Sequence, residues 1–243
     1  MENGKDITPY GMTSMDFGNI KPGKTTELKP GLDYDIEGYG RMFGTHLGSD
    51  EGRFVYARMS GDFDISVRVA DITNDDRNSA EAGIMIRKDL TADGLMAGMS
   101  VVGNDYGGEA DQYMLMYRTQ RFGSLEPSQY RQIRGYWGEG TLGNDSFGYT
   151  PYQYLTENLS RPRPFPNVWV RINKTGLRYT GYLKENDGEW IKVGDICLDM
   201  GDDLYAGMFV IANEHSSYHK NPINPETKAV CMFRDLQMRE VKP

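Results

Sequence analysis

Apolar and polar residues alternate along several stretches of this chain. In SGDFDISVRVADI (60–72), Phe63, Ile65, Val67 and Val69 interleave with Asp62, Asp64, Ser66 and Arg68. One face is dry and the other wet, and a period of two predicts a strand. AEAGIMIRKDL (80–90) repeats the pattern around Ile84 and Ile86, NVWVRIN (167–173) around Val168 and Val170, and DLYAGMFVIAN (203–213) around Phe209 and Ile211. Phe63, Ile65, Val67, Ile84, Ile86, Val168, Val170, Phe209 and Ile211 are expected in the core. YTGYLKENDGEWIKVGDICL (179–198) predicts a hairpin: Tyr179, Gly181 and Leu183 run into Asn186-Asp187-Gly188 and return through Trp190, Ile191 and Val193. LMAGMSVV (95–102) and DQYMLMYRT (111–119) also alternate, and Met96, Met99, Met114 and Met116 read as core filler rather than sulfur ligands. No useful helical stripe occurs. The pattern predicts an all-β protein, two antiparallel sheets packed as a sandwich with almost no helix.

Taken in order, these segments resemble the concanavalin A-like β-sandwich (jelly-roll) family, specifically its "regulation of enolase protein"-type domain of unknown function. The resemblance rests on GDFDISVRV, AGIMIR, WVRI and the Tyr179–Gly194 hairpin. Upstream, Asp35, Ile36, Gly38, Gly40, Phe54, Val55 and Tyr56 occupy the places of the family's opening strands, and AVCMFRDLQMREV (229–241) those of its closing strand. The resemblance implies one sandwich domain over residues 1–243, related to lectin- and glucanase-like accessory modules, with no catalytic signature. Two insertions depart from the pattern, a long one at about 103–166 and a smaller one at about 215–228.

Composition narrows the partners. The chain has 243 residues, 29 of them Gly, within the size that one all-β domain reaches. A formal net charge of −8 argues against a nucleic-acid surface and against adsorption to an anionic membrane. No apolar run approaches the ~20 residues of a membrane-spanning helix. MENGKDITPYG is no secretory signal, so synthesis in the cytoplasm is expected, with an extracellular or virion location left open for a trimmed chain or a phage protein. Cys197 and Cys231 read as free thiols, pairing only if their strands are neighbours.

Candidate chemistry is sparse. Glu185-Asn186-Asp187-Gly188-Glu189 imitates the E-x-D-x-E strand of laminarinase-type glucanases, in which alternate carboxylates line one face of the cleft. Asn-Asp-Gly is turn chemistry, however, and a hairpin tip cannot hold three acids along one pleated face. His215 and His219 lie in a Ser/Asn/Pro-rich loop and His46 in a turn-rich segment, with no partner base or metal-type spacing. No catalytic residue is assigned. No cofactor is expected; Asp105, Glu109 and Asp111 are weak calcium candidates without the D-x-D-x-D-G spacing.

The long insertion concentrates Tyr, Trp and Arg. Tyr136, Trp137, Tyr149, Tyr152 and Tyr154, with Arg131 and Arg134, form the candidate ligand or partner surface. Sugar rings stack on aromatic faces, and the same residue types anchor protein interfaces, so a glycan and a protein partner are both open. Packing of the long loop onto the sandwich is the third account. The functional expectation is a non-catalytic, lectin-like or carbohydrate-binding module. The alternative is a structural or assembly protein, such as a virion decoration or attachment component or a subunit of a homo-oligomer. A glycosidase or polysaccharide lyase comes third.

Overall fold

Alternation of the kind seen in Phe63–Val69 has one stable outcome, a sheet with its apolar face against another sheet. The computed structural model describes residues 5–6, 11–40, 50–74, 80–103, 109–121, 126–132, 163–212 and 226–241. The strands are β1 (Lys5–Asp6), β2 (Thr13–Phe17), β3 (Lys24–Lys29), β4 (Asp33–Gly38), β5 (Gly52–Ser60) and β6 (Phe63–Asn74). There follow β7 (Glu81–Arg87), β8 (Met96–Gly103), β9 (Glu109–Arg118), β10 (Glu126–Gln132) and β11 (Arg163–Pro164). The last are β12 (Val168–Thr175), β13 (Arg178–Glu185), β14 (Ile191–Cys197), β15 (Asp203–Ile211) and β16 (Ala229–Glu240). Among the described residues there is no helix, and hence none long and apolar enough to cross a membrane.

Sheet I has the order β14-β13-β12-β6-β16-β4-β3, with β1 on β16; sheet II has the order β10-β9-β8-β7-β15-β5-β2, with β11 on β9. Every pairing is antiparallel. The inner faces supply the core: Ile65, Val67, Val69, Val168, Val170 and Ile172 from sheet I meet Ile84, Ile86, Met99, Leu115, Met208 and Val210 from sheet II. This is the expected two-sheet sandwich. The insertion begins as part of it, because β9 and β10 extend sheet II; residues 133–162 lie outside the described residues.

Two of the expected core residues belong to a second apolar cluster. Phe209 and Ile211 are buried, but beneath the outer face of sheet II, in a second apolar cluster with Phe17, Phe54, Tyr56, Met85, Met96 and Met116. Their neighbours Ala206, Met208 and Val210 face the core between the sheets. Residues 206–212 contain no polar side chain, so alternation cannot show which set points inward. The strands of this sheet also approach tightly. A Cβ at Gly207 would fall 2.0 Å from the Val55 carbonyl oxygen, and one at Gly83 2.2 Å from that of Met99.

The cysteines are free. Cys197 is exposed on the edge strand β14, and Cys231 is buried on β16, with β13, β12 and β6 between them. At ~4.8 Å per strand that separation is far beyond disulfide reach. Burial pushes the Cys231 thiol well above its ordinary range, which leaves it inert.

Candidate functional site

Period-two geometry places the even and odd residues of each strand on opposite faces, so each sheet also has an outer face. On sheet II, register aligns the outward residues in rows across the strands. One row runs Arg118–Met96–Arg87–Tyr205–Arg58, the next Met116–Gly98–Met85–Gly207–Tyr56. Beyond them lie Ser100–Gly83–Phe209–Phe54, and last Glu81 beside Ile211. Two buried charged features stand at opposite ends of this face.

At the first end, Asp50 accepts from two arginines on different strands. Arg118 Nη2 lies 2.5 Å from its Oδ1 and Arg118 Nη1 3.0 Å from its Oδ2, while Arg87 Nη1 donates to Oδ2. All three side chains are fully buried. The guanidiniums also donate to carbonyls of the β7–β8 loop: Arg87 to Asp89 and Thr91, Arg118 to Ala92 and Gly94. Arg87 additionally lies 4.4 Å over the Phe17 ring. The cluster therefore pins the 88–95 loop over the sheet, and exposed Arg121 reinforces it from outside through Asp89 and Asp93. Its role is architectural.

At the other end, Glu81 is fully buried, and neither carboxylate oxygen has a hydrogen-bond partner among the described residues. Burial pushes its carboxyl up to about 7. The Ser100 hydroxyl is close enough to pull the other way, but among the described residues it too stands without a hydrogen bond. A lone carboxyl of this kind can hold or release a proton near neutrality.

The outer face of sheet I is wetter and carries aromatics. Register sets Trp169 between Lys184 and Arg68, and Arg171 between Tyr182 and Ser66. Cations and rings alternate as a result. Lys184 Nζ lies 4.4 Å from the Trp169 ring and 5.1 Å from that of Trp190, which immediately precedes β14. The Arg171 guanidinium lies 5.2 Å from the Tyr182 ring and 5.5 Å from Trp190, and Arg68 5.9 Å from Trp169. Such contacts contribute about 0.5–1 kcal/mol each at exposed sites. Arg171 is fixed by a two-oxygen pairing with Asp64 at 2.7 and 2.9 Å, and Arg68 by Asp235 at 2.8 Å. All three rings are half-buried. The Trp169 and Trp190 N–H groups and the Tyr182 hydroxyl donate to no acceptor among the described residues. Arg68 also borders a depression of about 540 Å³ lined by Asp71, Phe165, Pro166, Met232 and Arg234.

The hairpin acids sit where turn chemistry puts them. Asn186 has φ 53°, Gly188 N–H donates to Glu185 at 3.0 Å, and Asp187 and Glu189 are exposed. Asp187→Asn and Glu189→Gln are each expected to change stability by less than about 0.5 kcal/mol, checked by the thermal midpoint. A larger loss would show that these acids carry structure. Tyr136, Trp137, Tyr149, Tyr152, Tyr154 and Arg134 lie outside the described residues, as do His46, His215, His219 and Asp105. Arg131, on β10, and Glu109 and Asp111, on β9, are placed by backbone only. Among the described residues no group of three or more His, Cys, Asp or Glu is arranged to hold a metal ion. Trp169, Tyr182 and Trp190 stood in the motif strings, yet nothing local to the sequence shows that register brings them together.

The fold has counterparts among solved structures. It matches a functionally unknown protein from Saccharomyces cerevisiae at a TM-score of 0.55, with 14% identity, over 93% of this chain and 95% of that one. It matches a mutant of the GH43 protein BlXynB from Bacillus licheniformis at a TM-score of 0.53, with 9% identity, over 97% of this chain. The chain spans 39% of the length of that second protein. No protein-family model matches the chain, and no curated protein matches its sequence. Together with the two antiparallel sheets, these likenesses show an all-β, two-sheet antiparallel sandwich fold.

Proposed function

We propose that this chain is a non-catalytic, lectin-like glycan-binding module, a sandwich of the "regulation of enolase protein" type that its strand motifs resemble. The observation that carries the reading is the outer strip of sheet I, where Trp169, Tyr182 and Trp190 stand half-buried beside arginines already held by carboxylates. Saccharides present C–H faces that stack on such rings and hydroxyls that need fixed polar partners. A rigid sheet supplies both with little ordering cost, because pairing to Asp64 and Asp235 has already restricted Arg171 and Arg68. The Tyr/Trp/Arg insertion, with Tyr136, Trp137, Tyr149, Tyr152, Tyr154, Arg131 and Arg134, is a further surface for the same class of ligand or for a protein partner.

A glycan array followed by titration calorimetry tests the reading. Trp169→Ala is expected to weaken binding of a positive glycan about thirtyfold, the consequence of losing ~2 kcal/mol at a central aromatic contact. The fold should survive, since this indole lies outside the inter-sheet core. Absence of any bound glycan, joined to a stable oligomer by light scattering, would favour the assembly role instead. Hydrolysis or elimination of the bound glycan would overturn the non-catalytic part.

A further inference from the structure

The strip on sheet I is asymmetric in charge. Arg68, Arg171 and Arg234 each hold a carboxylate, from Asp235, Asp64 and Asp35 at 2.8, 2.7 and 2.8 Å. Lys184 does not. Its ammonium lies over two indole rings, at 4.4 Å from Trp169 and 5.1 Å from Trp190, and has no carboxylate or hydrogen-bond acceptor among the described residues. The two indole N–H groups, the Tyr182 hydroxyl and the ammonium itself keep spare donor capacity among the described residues. Among the described residues, Lys184 thus sets a cation without an ion pair between two stacking surfaces.

Resting on the glycan-binding reading, we infer that the strip selects anionic saccharides, with the acidic group of the sugar seated at Lys184. A ring stacked on Trp169 or Trp190 brings an equatorial substituent within reach of the ammonium between them. A carboxylate or sulfate there gains a charge-assisted hydrogen bond that a neutral hydroxymethyl does not. The remaining donors suit an acceptor-rich ligand, and the cation–π contacts hold the Lys184 stem in place before the ligand arrives. Asp64, Asp235 and Asp35 do not oppose an anion strongly, because each is already paired with its arginine.

Calorimetry with three probes tests this: a uronic-acid oligosaccharide, the same oligosaccharide after reduction of its carboxyls to hydroxymethyls, and a sulfated neutral oligosaccharide. The uronate is expected to bind about five- to tenfold more tightly than its reduced counterpart, the scale of one partly solvated charged hydrogen bond. Lys184→Met keeps an unbranched apolar stem between the indoles, and it should abolish that preference while changing affinity for the reduced probe less than about twofold. Lys184→Arg should retain the preference. Binding of the sulfated probe with the same Lys184 dependence would place both acid types in the site, whereas its failure would restrict the site to carboxylates. Equal affinity for the uronate and reduced probes, both unchanged by Lys184→Met, would overturn the inference and leave glycan binding intact. If none of the three probes binds, while Lys184→Met keeps the wild-type thermal midpoint, the inference is overturned; a positive glycan array with Trp169→Ala sensitivity then shows that the broader reading survives.

Discussion

Replacing Asp50 by alanine is expected to remove about 3–5 kcal/mol of stability, the scale of breaking a buried ion cluster by deleting one partner. Two guanidiniums would then stay at zero exposure without the carboxylate that bridges them. Arg87 shows the strain already: burial pulls its pKa down from the ordinary arginine value, and the neighbouring Asp50 carboxylate pulls it back up. Deleting Asp50 removes the second influence and leaves the first. The 88–95 loop loses its anchor at the same time, since Asp50 orients both arginines that bind its carbonyls. For a chain of this size a loss of ~4 kcal/mol corresponds to roughly 10 °C in Tm, measurable by calorimetry. Simultaneous replacement of Asp50, Arg87 and Arg118 by apolar residues of similar volume should cost less than Asp50→Ala alone, because no buried charge is orphaned. A Tm within about 2 °C of wild type for Asp50→Ala would mean that water reaches the cluster.

The stability of the protein should also fall as pH rises from about 4.5 to about 7, and Glu81→Gln should abolish that slope. Glu81 has a folded-state pKa of about 7 against an ordinary 4.5. Below 4.5 the carboxyl is protonated in both folded and unfolded chains, so it costs nothing. Between the two values the unfolded chain releases the proton while the folded chain retains it, which favours unfolding. Above about 7 the full penalty is present, on the order of 3 kcal/mol for a shift of this size. This runs opposite to a salt-bridged carboxylate, whose contribution disappears in acid. Denaturant titrations across the range would read the slope directly. A stability profile for Glu81→Gln parallel to that of the wild type would show that Glu81 finds a partner in solution.

The strands were legible because alternation is local: Phe63, Ile65, Val67, Val168 and Val170 stand where a period of two puts them. The hairpin at Asn186-Asp187 was equally local, written in residues that accept a positive φ. The outer faces were not legible. Asp50 meets Arg87 and Arg118 only through chain-distant packing, and a lone Asp following a turn-rich segment looks like any solvated acid. Glu81 stands next to the AGIMIR strand, where a flanking acid reads as a solvent-facing end. Trp169 and Lys184 become neighbours through a register that no local pattern encodes. Aromatics stand out in the insertion because they cluster there in sequence, whereas these three rings are spread over strands whose alternation encodes only the fold.

Strand β16 follows every other described strand in the chain, yet it runs in the middle of sheet I between β6 and β4. A ribosome adding about 5–20 residues per second would leave β6 without that neighbour for roughly ten to thirty seconds after β6 itself emerges. Through that interval both β6 and β4 present an open backbone edge beside a wholly apolar inner face, a template for pairing with the wrong chain. Nascent copies made close together, as on one messenger, would thus be most vulnerable to one another just before β16 emerges, and expression yield should depend more on translation rate and holdase supply than on the stability of the folded sandwich.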